Sequence, residues 1–118
     1  MPPSPLPPQA SPSPAATPVP LLELLRTMIK LEASDLYLAA GSKPKFMQHG
    51  KFLDAADVML IPENTRAYAL ELLTPPQQAE FQREWEVNVS YSVRNEGRFR
   101  VNLYTQRGSV AIVIRRIT

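Results

Sequence analysis

Gly97-Arg98-Phe99-Arg100-Val101-Asn102-Leu103-Tyr104-Thr105-Gln106-Arg107-Gly108 is the stretch on which the reading of this chain turns. Successive side chains of a strand point to opposite faces. Phe99, Val101, Leu103 and Thr105 therefore share one side, and Arg98, Arg100, Asn102, Tyr104 and Gln106 share the other. The apolar side needs only a core. The other side is cationic, and Arg107 at the strand's end, Arg115 and Arg116 bring the total after Gly97 to five arginines with no acid. A guanidinium fork donates parallel hydrogen bonds to planar oxyanions and phosphates.

Turn residues bracket this strand. Arg94-Asn95-Glu96-Gly97 leads into it from a run in which Val87, Val89, Tyr91 and Val93 alternate. Arg107-Gly108-Ser109 leads out of it into Val110, Ile112 and Ile114, which share a face of the next strand. Upstream, Ser34 to Ala40 reads as a strand with Leu36 and Leu38 on one side. Gly41-Ser42-Lys43-Pro44 is turn chemistry, and His49-Gly50 is a tight turn between the short strands Lys45 to Gln48 and Lys51 to Leu53. Short connections mean antiparallel pairing.

Helices fill the gaps. Leu21, Leu22, Leu25, Met28 and Ile29 form an apolar stripe that ends by Ala33, with Thr17 expected as its cap and Pro18 in the first turn. Pro62-Glu63 opens a second helix to about Leu73, with Ala69, Leu72 and Leu73 inward. Thr74-Pro75-Pro76-Gln77 is a capping box that starts a third, carrying Phe81 and Trp85 as core or interface anchors. The expected architecture is α+β: a six-stranded antiparallel sheet with two to three helices on one face. The other face, with Arg98, Arg100 and Asn102, must meet water, a ligand or another domain.

With 118 residues there is room for one small domain. The absence of cysteine excludes a disulfide framework and a thiolate zinc site. No apolar run reaches the roughly 20 residues that cross a bilayer, and no secretory signal is recognisable. A net charge of +2 is too small to argue for DNA binding. Residues 1–20 hold nine of the 13 prolines and no charged side chain, which reads as a disordered or polyproline-type tail carrying a possible PxxP docking peptide. Residues 21–118 form the domain.

Other polar residues read as structural. Ser34 and Asp35 stand at a helix-to-strand junction, where short side chains bond the backbone. His49 is a turn residue, with no second His or Cys to share a metal. Glu80, Glu84 and Glu86 read as a solvated face. Arg116 points away from Arg115 and reads as a surface or interface charge.

A set of motifs closely resembles one family. They are Ala33-Ser34-Asp35-Leu36, Gly41-x-x-Pro44, Gly50-Lys51-Phe52-Leu53, Gln77-x-x-x-Phe81, Gly97-Arg98-Phe99-Arg100-Val101-Asn102 and Gln106-Arg107-Gly108. The resemblance, over Leu21 to Thr118, is to the N-terminal domain of the type IV pilus retraction ATPases, PilT and PilU, and Arg115-Arg116 leans toward PilU. It implies a PAS-like domain that precedes a RecA-like P-loop domain, in a cytoplasmic homohexamer of the secretion ATPase superfamily. Such a motor lies at the inner-membrane pilus platform, drives twitching motility, and has PilT or PilU as a partner. It also implies that Arg98, Arg100, Arg107 and Arg115 face ATP phosphates, with ATP and Mg2+ held by the P-loop domain. The chain lacks G-x-x-x-x-G-K-S/T, so these residues alone are not expected to turn over ATP. Tyr37 stands where the family usually has His, and Ile61-Pro62-Glu63 where it has a capping Thr-Pro-Glu.

Two rival readings remain. One is a stand-alone PAS-like adaptor that binds a small ligand, against which few inward polar residues argue. The other is a nucleic-acid binder, against which the scarcity of aromatics beside the arginines argues. By itself the domain is expected to be a monomer.

Overall fold

A computed structural model describes residues 16–118. Most of the expected tail, 1–20, lies outside them. The strands are β1 (Asp35–Ala39), β2 (Lys45–Gln48), β3 (Lys51–Asp54), β4 (Glu86–Val93), β5 (Gly97–Gln106) and β6 (Ser109–Ile117). The helices are α1 (Leu21–Lys30), α2 (Pro62–Leu72) and α3 (Pro75–Glu84). All six strands form one sheet in the order β3-β2-β1-β6-β5-β4, and every neighbouring pair is antiparallel. The α+β class, the strand number and the helical cover are those expected from the alternation. The first and last strands lie side by side at the centre, and α2 and α3 carry the chain from edge strand β3 to edge strand β4.

Hydrophobic burial closes the core. Phe99, Val101 and Leu103 of β5, Ile112 and Ile114 of β6, Leu36 and Leu38 of β1, and Phe46 of β2 meet Leu21, Leu24, Leu25 and Met28 of α1 and Tyr68 and Leu72 of α2. The buried stripe of α1 is Leu21-Leu24-Leu25-Met28, and Leu22, expected in it, is exposed. At 100° per residue, Leu22 falls beside Arg26 on the solvent side.

The start of α1 also differs from expectation. The N-cap position belongs to Pro20, and Thr17 makes no cap. The preceding segment is instead held by α2. The Asn64 amide donates to the Ala16 carbonyl at 2.9 Å, and the Tyr68 hydroxyl donates to the Val19 carbonyl and accepts from the Val19 N–H. These contacts join residues 48 or 49 apart in sequence, which local capping rules do not see.

The other helix starts follow their residues. Thr74 accepts from the Gln77 N–H at 3.4 Å while Gln77 accepts from the Thr74 N–H at 2.9 Å, so the expected capping box is present. Ile61 has no side-chain acceptor, but Asn64 accepts the Ile61 N–H at 2.8 Å and so supplies the reciprocal half of a cap. Phe81 is buried; Trp85 ends α3 in the left-handed region, φ 64°, and is 42% exposed, so it is no core anchor. Tight hairpins need positive φ at both turn positions. His49-Gly50 (50°, 77°) and Arg107-Gly108 (53°, 79°) supply it.

Candidate functional site

The helices cover one face of the sheet, and the register lays out the other in rows. Arg98 of β5 lies between Ser92 of β4 and Ile117 of β6. The next row runs Ser90, Arg100, Arg115, Asp35, Met47, Phe52. The row after it runs Asn88, Asn102, Val113, Tyr37, Lys45, Asp54. The face is cationic toward β5 and β6 and aromatic toward β3, where the Tyr37 and Phe52 rings meet edge to face with centroids 5.4 Å apart.

Arg115 is held. Its Nε donates to Asp35 Oδ1 at 2.9 Å, and the Ser34 hydroxyl donates to Asp35 Oδ2 at 2.8 Å. The Asp35 side chain is only 7% exposed, whereas that of Arg115 is 69% exposed. The carboxylate therefore sits at the sheet surface with both oxygens engaged, and the guanidinium reaches past it into solvent. The hydrogen bond to Asp35, and then its charge, raise the Arg115 pKa. Tyr37 is also pushed up, first by burial and then by the Asp35 charge. The Ser34 hydroxyl also lies 3.3 Å from the Met47 carbonyl, the backbone contact expected at the junction, whereas both Asp35 oxygens are taken by side chains, those of Ser34 and of Arg115, 80 residues away.

Arg98 and Arg100 are exposed and take part in no ion pair or side-chain hydrogen bond among the described residues. Arg100 and Arg115 stand opposite each other and, with Asn88, Asn102 and Val113, line a shallow hollow of about 240 Å³. Asn102 donates to Asn88 at 2.9 Å and to Glu86 at 3.2 Å, which fixes the amide floor of the hollow. Two like charges face each other across this hollow, with Asp35 bonded to Arg115 and Glu86 bonded to Asn102 beside them, and the donors that line it suit an anion.

Arg107 is elsewhere. It sits in the β5–β6 turn, seven residues along the chain from Arg100, ~23 Å at the rise of an extended strand. It lines a separate hollow of about 260 Å³ with Ala39, Ala40, Gln106, Ser109, Val110 and Ala111. The four arginines singled out in the sequence thus divide into Arg98, Arg100 and Arg115 at one end of the sheet and Arg107 at the other. Arg116 lies on the helix-covered side opposite Phe99, with its buried Nε unpartnered among the described residues. Asp35 as the anchor of Arg115 was the residue that sequence reasoning missed; its place before an alternating strand was the signal, but its partner was not readable.

Among the described residues there is no grouping of three or more His, Cys, Asp or Glu that could hold a metal ion, and no helix long and apolar enough to cross a membrane.

No family model matches the chain. Two curated relatives do. The type IV pilus ATPase PilU of Pseudomonas aeruginosa is 37% identical over 95 residues, covering 80% of this chain and 25% of the relative. The type IV pilus retraction ATPase PilT of the same organism is 33% identical over 100 residues, covering 82% of this chain and 28% of the relative. The chain therefore spans about a quarter of the length of these relatives. Among solved structures, the pilus retraction motor PilT with bound ADP superposes with a TM-score of 0.77 at 29% identity, covering 85% of this chain and 29% of that one. The Legionella pneumophila ATPase DotB superposes with a TM-score of 0.74 at 21% identity, over 96% of this chain and 31% of that one, which shows a shared fold. Identity to both relatives over about four-fifths of the chain, the superposition on PilT and the greater identity to PilU converge: the chain belongs with the N-terminal domains of the type IV pilus retraction ATPases and is more similar to PilU than to PilT.

Proposed function

We propose that this domain works in a hexameric pilus retraction motor by lending cationic side chains to the phosphates of an ATP held on a P-loop domain. The observation that carries the reading is the hollow between Arg100 and Arg115, on a face that no helix covers. Charge develops on the γ-phosphoryl group during transfer, and an arginine supplied from a second domain stabilises it. Such a group works best when it is already in place. Asp35 does that for Arg115: it takes Nε and leaves the other guanidinium nitrogens free of a side-chain partner. Arg100 and Arg98 are unpaired and need not break an internal contact to meet a phosphate.

The residues on this face suit a phosphate and not a metal. Guanidinium and amide groups donate, and the carboxylates beside the hollow are already engaged, Asp35 by Arg115 and Glu86 by Asn102. Mg2+ would be held by the P-loop domain together with the nucleotide. Arg107, at the far end of β5, would reach a different part of the nucleotide or the neighbouring subunit. In this reading the domain packs on the motor domain of its own or the adjacent subunit, in the cytoplasm at the inner-membrane pilus platform.

The test is the full-length hexamer with Arg98, Arg100, Arg107 and Arg115 changed singly to Ala. Loss of one preorganised donor lowers kcat by about 10²- to 10³-fold. Arg100→Ala and Arg115→Ala are expected to fall in that range with the hexamer intact by mass measurement. Turnover within about twofold of the parent for all four variants would overturn the proposal.

A further inference from the structure

The two edges of the sheet are not alike. Edge strand β3 has four residues, carries Lys51, and has the Lys45–Asp54 ion pair at 2.6 Å across its ladder with β2. Short length and charge are what keep an edge from pairing with another chain. Edge strand β4 has eight residues, Glu86-Val87-Asn88-Val89-Ser90-Tyr91-Ser92-Val93, with no Lys, Arg or Pro and no bulge in its ladder with β5. Antiparallel partners alternate between hydrogen-bonded and non-hydrogen-bonded pairs. The Thr105 N–H donates to the Trp85 carbonyl at 3.1 Å, one step before the Glu86–Tyr104 pair, so it fixes the phase. Val87, Val89, Tyr91 and Val93 direct their backbone groups to β5. Glu86, Asn88, Ser90 and Ser92 direct theirs outward, and among the described residues nothing is bonded to them there beyond the sheet.

We infer that β4 pairs with β4 of a second copy, antiparallel about a two-fold axis at Val89, to make one continuous sheet. This register places Glu86 opposite the second copy's Ser92 and Asn88 opposite its Ser90. Every outward residue of one strand then faces an outward residue of the other, and each pair exchanges two N–H···O bonds, about eight in all. Val87 faces Tyr91 and Val89 faces Val89 on the helix side, so apolar meets apolar there and polar meets polar on the open side. A shift of one residue would break that match. Charge agrees as well. Ser92 pairs with Arg98 on β5, so Glu86, whose carboxylate also accepts from Asn102 of its own sheet, lies two strands from the second copy's Arg98, which has no internal partner. A two-fold contact holds this pair twice. The same register sets Trp85, large and 42% exposed, opposite Val93 of the second copy. The edge is thus self-complementary in hydrogen bonding, polarity and charge, which selects a copy of the chain over an unrelated strand. The contact itself is made by the backbone of the β4 rim, whereas the nucleotide reading rests on the Arg100–Arg115 hollow; Asn88, which lines that hollow, and Arg98 belong to both.

The experiment is sedimentation of the 118-residue chain over a range of concentrations. A dimer that dissociates on dilution is expected. Ser90→Pro removes an outward N–H that no native ladder bond uses, and should give a folded monomer, with folding checked by circular dichroism. Glu86→Arg should weaken the dimer about tenfold, since two exposed charge pairs are lost at once. Glu86→Arg with Arg98→Glu should restore it to within about threefold of the parent. Arg100→Ala, which tests the nucleotide site, should leave the association unchanged. A chain monomeric at every concentration, or a dimer that neither Ser90→Pro nor the charge exchange alters, would overturn the inference.

Discussion

On one side of β5, Phe99, Val101 and Leu103 are sealed beneath helices; one residue further along the same strand each time, Arg100, Asn102 and Tyr104 lie on the open side. The two sides share a backbone, a register and a turn at either end. They differ in what fixes each side chain. On the covered side it is packing, where most neighbours are core residues and space decides. On the open side it is sparse polar contact: Asp35 on Arg115, Asn88 and Glu86 on Asn102, and none on Arg100. A sheet can therefore separate stability from recognition by parity alone, with the fold carried by odd positions of β5 and the chemistry by even ones.

The most damaging cut falls on the covered side. Phe99→Ala should destabilise the domain by ~3–5 kcal/mol, measured by urea unfolding, because the ring is fully buried against the core and its loss leaves a cavity. Next comes Asp35→Ala. It sits on the open side yet is buried, and it should lose ~1.5–3 kcal/mol in the same measurement, as a hydrogen bond to a charged group does. If Asp35→Ala were as mild as a surface change, the Arg115 anchor would have no structural weight. Arg100→Ala should shift stability by less than ~0.5 kcal/mol, as exposed positions do; a larger loss would mean that the open side helps hold the fold.

The smallest effect lies at the seam between the sides, where Arg26 of α1 grips Glu96 of the β4–β5 turn through Nε at 2.8 Å and Nη2 at 2.9 Å. The hydrogen bond from Arg26 holds the Glu96 carboxylate below its usual range. A depressed folded pKa adds stability above the unfolded carboxylate value, and that increment is lost as pH falls through the lower folded value. Glu96→Gln should flatten this acid limb of a stability-against-pH curve, and raised salt should shrink it in the parent, since the pair is exposed.

The same parity explains how much of the fold was legible in the sequence. Period-2 alternation in β4, β5 and β6, turn residues at His49-Gly50 and Arg107-Gly108, and the Thr74-Gln77 box were local signals, and they placed strands, hairpins and a helix start correctly. Three things were not local. Tyr68 and Asn64 hold the segment before α1, which displaced the expected Thr17 cap. Asp35 finds Arg115 only because β1 and β6 are neighbours at the centre of the sheet. Arg107 is near Arg100 in sequence but not in space, because an extended chain advances about 3.3 Å with every residue. Leu22 fell into the wrong stripe for a simpler reason. The buried arc of α1 runs from Leu24 through Leu21 to Leu25, and Leu22, about 60° beyond Leu25 around the helix, lies past its rim.

Strand β6 ends at Ile117 in the middle of the sheet, laddered to β1 on one flank and β5 on the other. A pull along its axis would load both ladders in shear, with many hydrogen bonds resisting together, whereas the same pull across edge strand β3 would peel bonds off one by one. Of the six strands, β1 and β6 at the centre are thus among those held from both flanks, and β3 and β4 at the rims are each held from one.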